Sequence, residues 1–286
     1  MGADSDKSCI GSEKVQQFST IPPIDELNRE SLLHFCKKNN VQFVVPTRDG
    51  ELPFWAEHQD FLLSNQIGVM ISTQSAVQIC EDKYLFAKHL EKAPVRAIQT
   101  SLSSTTLPAE YDRFVAKERT GTASSSIGIN LRQGELQKHS QKLKEPVFQP
   151  QINGREFSAE TWIDKNNRCH GVILRWRTLV VNGESHKSIT FKNSEWEEKL
   201  IATFNRIEGL RGHILAQVIV DQHDKLHLVE INPRLGGASP LALASGLHSV
   251  KWAILEFLEL SNQIPLEPVF KNGLQLIKKD GYVRIQ

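Results

Sequence analysis

The stretch Glu230-Ile231-Asn232-Pro233-Arg234 decides how this sequence is interpreted. It continues an alternating apolar run that starts at Leu226, a pattern typical of a β-strand. Side chains two residues apart share one face of a strand, so Glu230 and Asn232 point the same way. Their oxygens are ligands that a hard cation such as Mg²⁺ prefers, and Arg234 adds a positive charge beside them. The stretch therefore predicts a site for a metal–nucleotide complex at a strand end.

The segment before it predicts the second strand of a hairpin. Residues 213–221 are also strand-like, and the polar run 222–225 is typical of a turn. A turn centred on His223 and Asp224 puts Gln217 directly opposite Glu230, and opposed residues share a face in an antiparallel pair. Gln217, Glu230 and Asn232 should therefore converge, unless the register slips by one residue. Taken in isolation, these residues also fit the solvated polar face of an edge hairpin.

Composition excludes several classes of protein. The formal net charge of +1, spread over 286 residues, argues against an electrostatic nucleic-acid binder. No apolar run is long enough to span a membrane, and the N-terminus lacks an apolar signal core. The four cysteines have no metal-type spacing and are typical of reduced thiols. We therefore expect a cytoplasmic protein with neither nucleic acid nor membrane as a partner.

The chain changes character near residue 81. Before this point, predicted helices at 24–39 and 53–65 alternate with predicted strands at 41–45 and 69–71, which favours a parallel βα arrangement. This region starts without an opening strand or a Gly-rich turn, so we expect it to be short by one βα unit. After it, helices are predicted at 82–90 and 195–208, and strands at 114–118, 127–131, 157–163 and 171–181.

Several further residues are candidates for phosphate and nucleotide contacts. Lys83 lies near a predicted helix start, and Lys117 lies on a predicted strand before the small-residue loop 120–128. Small residues allow a backbone to approach a phosphate, although this loop lacks the Walker A pattern. Alone, each feature is more typical of a solvated lysine or a flexible hairpin loop. Residues 149–156 form a predicted connector, and Glu156 at its end suits a ribose diol or a solvent-facing strand position.

The order of these elements resembles the ATP-grasp superfamily, and most closely its carbamoyl-phosphate-synthetase large-chain-like branch. The resemblance covers roughly residues 81–260, with the stretch 230–234 and Gln217 as its most specific match. It implies an α/β (α+β) fold with an ATP-grasp domain over residues 81–286, including a small lid subdomain over about 108–150. Residues 1–80 would form a partial pre-ATP-grasp, Rossmann-like βα domain.

The resemblance also implies a role for each candidate residue. The lysines would contact the ATP phosphates, the glutamines the adenine edge and the glutamate the ribose. The full set of implied ATP contacts is Lys83, Lys117, Thr120, Gly121, Ser124, Ser125, Ser126, Gln149, Gln151, Ile152 and Glu156. Mg²⁺, with Mn²⁺ as an alternative ion, would be held by Gln217, Glu230 and Asn232. Lys117 and Arg234 would be catalytic, with Arg234 facing the transferred phosphoryl group.

The implied reaction is that of an ATP-dependent ligase. A carboxylate, or a carboxylate-like group such as a carbamate or bicarbonate, would be phosphorylated and then attacked by an amine or another nucleophile. Arg175 and Arg177 suit the orientation of an anionic acceptor, or simply belong to a surface strand. Two departures, Gln217 in place of an acidic residue and a Ser-rich loop, keep open a non-catalytic or partner-dependent ATP-binding module. The expected partners are ATP and small carboxylate and amine-type substrates, and a homodimer is left open.

Overall fold

The computed structural model describes residues 1–121, 126–279 and 282–286. Over these ranges the fold is mixed α/β. The helices are α1 (Arg29–Lys38), α2 (Leu52–Ser64), α3 (Gln74–Glu81), α4 (Lys83–His89), α5 (Gln133–Ser140), α6 (Ser194–Phe204), α7 (Ser239–Ala244) and α8 (Ser249–Phe257). The strands are β1 (Gly2–Asp4), β2 (Phe18–Thr20), β3 (Phe43–Val44), β4 (Gly68–Val69), β5 (Phe114–Glu118), β6 (Gly128–Leu131), β7 (Pro146–Pro150), β8 (Arg155–Ile163), β9 (Cys169–Val181), β10 (Glu184–Phe191), β11 (Gly212–Val220), β12 (Leu226–Asn232), β13 (Gln275–Lys279) and β14 (Tyr282–Ile285).

The largest sheet has one apolar face and one polar face. Its strand order is β12-β11-β8-β9-β10-β13-β14, and neighbouring strands are antiparallel. Along β8, Phe157 and Ala159 enter the main core, which also contains residues of α3, α4 and α6. The intervening Ser158 and Glu160 lie on the opposite face, because successive side chains of a strand alternate. The polar face of this sheet forms one wall of the candidate site.

A smaller sheet, with the order β6-β5-β7, carries its own core. Phe114, Ala116 and Phe148 pack with Leu136 of α5 on one face of that sheet. The segment that follows α4 hydrogen-bonds to both sheets. The amide of Ile98 donates to the Leu228 carbonyl on β12 (3.0 Å), and residue 101 pairs with residue 148 on β7. One short segment therefore fixes the edge of the small sheet relative to the edge of the large one.

The region before residue 80 forms a βα unit, as predicted. Strands β3 and β4 are parallel, and a separate core between α1 and α2 contains Leu32, Trp55 and Leu62. The first helix begins later than predicted, at Arg29, because the Asn28 side chain accepts a hydrogen bond from the Ser31 amide (2.9 Å) and caps it. The residues before this cap include a short 3₁₀ turn (Ile24–Glu26).

The predicted connector at 149–156 is partly wrong, because its first two residues end strand β7. Proline normally argues against a strand, since it has no amide hydrogen to donate to the ladder. Pro146 and Pro150 stand at the two ends of β7, and all five of its residues still pair with β5. Several elements that the sequence analysis did not assign are also present, among them α3, α5, β10 and the pair β13–β14. The expectation of no opening strand is wrong, because β1 at the start of the chain pairs in parallel with β2.

Within the described ranges, no helix is both long enough and apolar enough to cross a membrane. Cys9, Cys36, Cys80 and Cys169 are free thiols, and burial raises the pKa of Cys36 and of Cys169, the latter to about 11. Neutral, mostly buried thiols of this kind are poor nucleophiles and metal ligands.

We predict that the β3–β4 ladder is less stable than the β11–β12 hairpin. Strand β3 pairs with β4 over two residues, and a cavity of about 600 Å³ lies beside it. Strand β12 pairs with β11 along most of its length and is covered by residues 96–98 on its other edge. Native-state hydrogen exchange should therefore show weaker protection at Val44 than at Leu228. Equal protection at the two amides would contradict this.

Candidate functional site

The β11–β12 hairpin brings Gln217 opposite Glu230, which confirms the predicted pair. The turn itself differs from the prediction by one residue. Beside the turn, Val218 pairs with Leu228, and the loop contains the three residues 222–224, of which Asp224 is left-handed at φ 56°. A three-residue loop with a left-handed last residue is a common hairpin connection. Without a later change of register, Gln217 would face residue 229.

A bulge at Val229 makes that change. Two residues, Val229 and Glu230, together oppose Gln217, because the register shifts between positions 217 and 218. Leu228 and Ile231 consequently both enter the main core, although they are three positions apart. Glu230 and Asn232 emerge on the polar face. A regular strand would have aligned Glu230 with Leu228 and turned the carboxylate towards the core.

Gln217, Glu230 and Asn232 form one hydrogen-bonded cluster. Glu230 Oε1 accepts from Gln217 Nε2 (2.7 Å) and from Asn232 Nδ2 (2.8 Å). Within the described residues, neither Glu230 Oε2 nor Asn232 Oδ1 takes part in a hydrogen bond. The same part of the chain contains no group of three or more His, Cys, Asp or Glu side chains suited to a metal ion. A hard cation here would depend on one carboxylate and on amide oxygens, which agrees with the residue types of the cluster.

The two predicted lysines lie close enough to Glu230 to be influenced by its charge. Burial lowers the pKa of Lys117 on β5 to about 8, while the negative charge of Glu230 opposes the shift and that of Lys83 adds to it. Burial also lowers the pKa of Lys83, against the opposing charges of Glu230, Asp82 and Asp49. The structure thus brings both lysines into the field of Glu230.

Lys83 is oriented by the start of its helix. Asp82 caps α4 by accepting from the amides of Tyr84 and Leu85 (2.9 and 3.0 Å), and it forms an ion pair with Arg119 at the end of β5 (2.6 Å). This ion pair attaches the helix start to the small sheet. Lys83 Nζ then donates to the carbonyl of Gly121 (2.8 Å), at the beginning of the predicted phosphate loop.

The rest of that loop is only partly described. Thr120 and Gly121 are exposed, and Ser126 is half-buried with its carbonyl 2.9 Å from His139 Nε2. Ser124 and Ser125, which the resemblance assigns to the phosphates, lie outside the described residues.

The predicted adenine-edge residues lie where β7 leads into β8. Gln149 is buried on β7 and donates to Thr100 Oγ1 (2.7 Å), so its side chain is structural. The Gln151 side chain accepts from the Asn130 amide of β6 (2.6 Å). Ile152 is half-buried in the same connection. Both glutamine side chains are therefore engaged within the protein, and the Gln151 amide also donates to the Arg113 carbonyl (2.9 Å).

Glu156 is not a free carboxylate. It forms an ion pair with Arg177, and burial nevertheless raises its pKa. Arg177 also donates to Gln217 Oε1 (2.6 Å) and to the Gly183 carbonyl (2.5 Å), and its side chain is only 5% exposed. The alternative that Arg175 and Arg177 lie on a surface strand is therefore wrong. Both face the interior of the cleft, because they alternate with Trp176, which packs against the main core.

Arg234 has a partner that sequence reasoning missed. Its guanidinium forms a two-point ion pair with Asp49, which lies 185 residues earlier, in the turn before α2. The same aspartate acts on Glu81, whose pKa is raised to about 7 chiefly by burial and then by Asp49. No local signal marks Asp49, because its importance depends on a contact between distant parts of the chain.

Beside the cluster lies a cavity of about 550 Å³ with a mostly polar wall. Its lining includes Asn232, Arg234, Asp49, Ser158, Arg175, Arg177, Glu184, Gly237 and Lys278. Positive charges outnumber negative ones among these side chains. A cavity of this size and charge is suited to a small anionic molecule.

A buried network holds Arg175 in the wall of that cavity. Arg175 Nε donates to Glu160 (2.5 Å), and the other oxygen of Glu160 lies 3.0 Å from Nε2 of His213. His213 Nδ1 in turn lies 2.8 Å from Ser249 Oγ, at the start of α8. Burial alone would raise the pKa of Glu160, but Arg175 and His213 lower it to about 2. Glu160 was missed by sequence reasoning, although its polar position in the alternation of β8 was a usable signal.

The arrangement defines a class of α/β proteins in which the polar face of a large antiparallel sheet lines a cationic cavity, with two lysines in the field of its carboxylate cluster. A model of the ATP-grasp domain matches residues 80–238, which is more than half of the chain. The chain therefore belongs to the ATP-grasp superfamily, as the order of its motifs predicted. No curated protein matches it in sequence.

Three solved structures share its fold at low sequence identity. Biotin carboxylase from Campylobacter jejuni, in complex with β,γ-ATP, has a TM-score of 0.76 at 13% identity. The match covers 96% of this chain and 68% of the biotin carboxylase chain. The biotin carboxylase domain of 2-oxoglutarate carboxylase from Hydrogenobacter thermophilus, with MgADP, ADP and bicarbonate, has a TM-score of 0.72 at 14% identity, with coverage of 94% and 66%. L-amino acid ligase from Bacillus licheniformis has a TM-score of 0.65 at 15% identity, with coverage of 90% and 67%. The chain spans about two thirds of the length of each.

We predict that Arg175→Met is strongly destabilising, because it leaves Glu160 as a buried and only partly compensated charge. The expected loss is about 3–5 kcal/mol in the free energy of unfolding, measured by urea denaturation. Arg284→Met, at an exposed position of β14, is the matched control and should change it by less than about 0.5 kcal/mol. Similar effects of the two substitutions would show that the network carries no special stabilisation.

Proposed function

We propose that this protein is an ATP- and Mg²⁺-dependent ligase that phosphorylates a small carboxylate, or a carboxylate-like acceptor, for attack by an amine or another nucleophile. One observation carries the proposal. Lys117 of the small sheet lies in the electrostatic field of Glu230 of the large sheet, and Glu230 is hydrogen-bonded to Gln217 and Asn232, which line the cationic cavity. Phosphoryl transfer requires positioning and charge neutralisation more than a covalent contribution from the protein. A carbamoyl-phosphate-synthetase-like type is the finer part of this proposal.

The nucleotide would lie between the two sheets. Lys83 and Lys117 suit its phosphates, and the start of the small-residue loop at Gly121 is already within reach of Lys83. The backbone of Gln149–Ile152 suits the adenine edge. Glu156 would contact the ribose through the oxygen that is not engaged by Arg177. Solved structures of the same fold contain β,γ-ATP in one case and MgADP in another, which supports a nucleotide in this cleft.

The acceptor would occupy the cavity beside the metal cluster. Arg175 and Arg177 line it, and the donors of their guanidinium groups that remain unpaired match a carboxylate geometrically. Arg234 lies at the end of the cavity nearest Asn232, where it would stabilise charge on the transferred phosphoryl group. The likeness in fold to an L-amino acid ligase supports a carboxylate acceptor, without identifying which one.

The metal set fits a hard cation, because Glu230 and Asn232 each offer an oxygen that no described side chain occupies. When bound, Mg²⁺ would neutralise charge on the phosphate oxygens. The protein itself would hold the phosphates through its lysines, orient the acceptor through its arginines and exclude water by apposing the small sheet. We propose residues 1–80 and 81–286 as the two domains, with a lid over about 108–150.

A non-catalytic ATP-binding module is the second candidate. One observation favours it: Arg234, the predicted catalytic cation, is engaged by Asp49 through both oxygens of the carboxylate. The charge of a guanidinium that is paired with a carboxylate is already compensated, so it stabilises a phosphoryl group less. The two candidates differ in whether ADP is released from ATP when acceptor and nucleophile are supplied.

We predict that Glu230→Gln abolishes ligase turnover and leaves the fold intact, because Glu230 is a site residue on the polar face and not part of a core. ADP release with a mixture of small carboxylic acids and amines should fall at least about a hundredfold. Glu198→Gln, exposed on α6, is the matched control and should behave as wild type. Nucleotide binding by the wild type with no ADP release for any mixture would instead support the non-catalytic module.

We predict that MgATP binding is accompanied by proton uptake above about pH 8. The pKa of Lys117, lowered to about 8 in the free protein, leaves this side chain largely neutral at higher pH. Bound phosphates favour its charged form, so the complex must take up a proton there, whereas well below that pKa the lysine is already protonated. Isothermal titration in buffers of different ionisation enthalpy measures this uptake.

Lys117→Arg is the control for this titration, since arginine stays charged throughout the range. The variant should bind MgATP with no uptake attributable to position 117. Equal proton uptake by wild type and variant would assign the titration to another group.

A further inference from the structure

We propose that Gln217 is not a ligand of the metal ion but a hydrogen-bonded bridge that connects Arg177 to the metal-binding carboxylate of Glu230. The inference rests on the proposed function and departs from the family resemblance, which assigns Gln217 to the metal. It makes Arg177 a positioning residue, which acts on the metal site through Gln217.

The orientation of the Gln217 amide follows from its two partners. Arg177 is always charged and can only donate hydrogen bonds, so it requires the amide oxygen. An ionised Glu230 can only accept, so it requires the amide nitrogen. The observed contacts, Arg177 Nη1 to Gln217 Oε1 (2.6 Å) and Gln217 Nε2 to Glu230 Oε1 (2.7 Å), satisfy both demands. Turning the amide over would set two donors against each other and two acceptors against each other.

Arg177 is held firmly enough to impose this choice. It is anchored by the ion pair with Glu156 on β8, the strand next to β11, and by the carbonyl of Gly183 (2.5 Å) in the turn between β9 and β10. Its side chain is 5% exposed, and its Nε is buried with no hydrogen-bond partner among the residues that the structure describes. Because this buried guanidinium already has one unpaired nitrogen, loss of its hydrogen bond to Gln217 would destabilise the folded protein further.

The oxygens that remain for an ion come from the other two residues. Glu230 Oε2 and Asn232 Oδ1 are unoccupied by described side chains, whereas Gln217 Oε1 is engaged. An ion at the cluster would therefore bind towards Asn232 and away from Gln217. Gln217 has the side-chain length of a glutamate, but it donates a hydrogen bond to Glu230 and does not add a second negative charge beside it.

The first test locates the ion directly. Crystals of the full chain with Mn²⁺ and a non-hydrolysable ATP analogue would place the ion by its anomalous scattering. We expect oxygens of Glu230 and Asn232 within direct coordination distance, roughly 2.0–2.2 Å, and Gln217 Oε1 outside it. Coordination by Gln217 Oε1 in the wild type would overturn the proposal.

The second test asks whether Arg177 is the cause. Arg177→Met should release the amide, so that Gln217 turns its oxygen to the ion. Mn²⁺ affinity in the presence of the analogue is then measured for wild type, Arg177→Met, Gln217→Met and the double variant. We expect Gln217→Met to cost at least about tenfold more affinity in the Arg177→Met background than in the wild type. An equal cost in both backgrounds would mean that Gln217 is already a ligand.

Failure of the proposed function has a different signature. A wild type that binds no adenine nucleotide would overturn that function and, with it, the assignment of the ligands. The bridge itself is then decided without metal by urea unfolding of the same four proteins. The effects of the two single substitutions must be non-additive if Arg177 and Gln217 are coupled, and additivity would overturn the bridge.

Discussion

The bulge at Val229 is the constraint on which the site depends. Strand β12 has to bury Leu228 and Ile231 in the same core, yet these residues are an odd number of positions apart. A regular strand cannot satisfy both, because its faces alternate with a period of two. One extra residue resolves the conflict and places Glu230 among polar side chains. The free energy of the core therefore determines where the carboxylate points, and the site inherits its geometry from packing on the other side of the sheet.

The polar face of the large sheet has its own requirement, which is charge balance. Glu160, Arg175 and Arg177 are nearly removed from water, and isolated charges there would be strongly destabilising. Each is compensated by neighbouring side chains of the same sheet. Pairing also limits what each side chain can do. An arginine that is committed to a glutamate, or to an amide oxygen, is oriented in advance and has fewer conformations to lose when an anion binds.

Sequence reasoning predicted the parts of the site that depend on local patterns. Lys83 and Lys117 became candidates through their positions before a helix and before a small-residue loop and received a role only from the family resemblance. The Gln217–Glu230 pair was predicted from the two strands and their turn. It missed β7, because two prolines concealed a short strand between them. It also missed Asp49 and the orientation of the Gln217 amide group, since both depend on contacts between residues far apart in the chain. The correct pair was obtained although the turn was misplaced, because the bulge supplies the missing residue.

The ion pair between Asp49 and Arg234 has a consequence for how such a protein is assembled over evolution. The family match begins at residue 80, but a carboxylate from before that point neutralises a cation in the lining of the cavity. The early βα unit is thus a contributor to the electrostatics of the site as well as a neighbouring fold. A recombination event that exchanged this unit for another would remove the carboxylate that compensates Arg234 without changing any residue of the matched region. Inheritance of the two parts together is the arrangement that preserves the cleft.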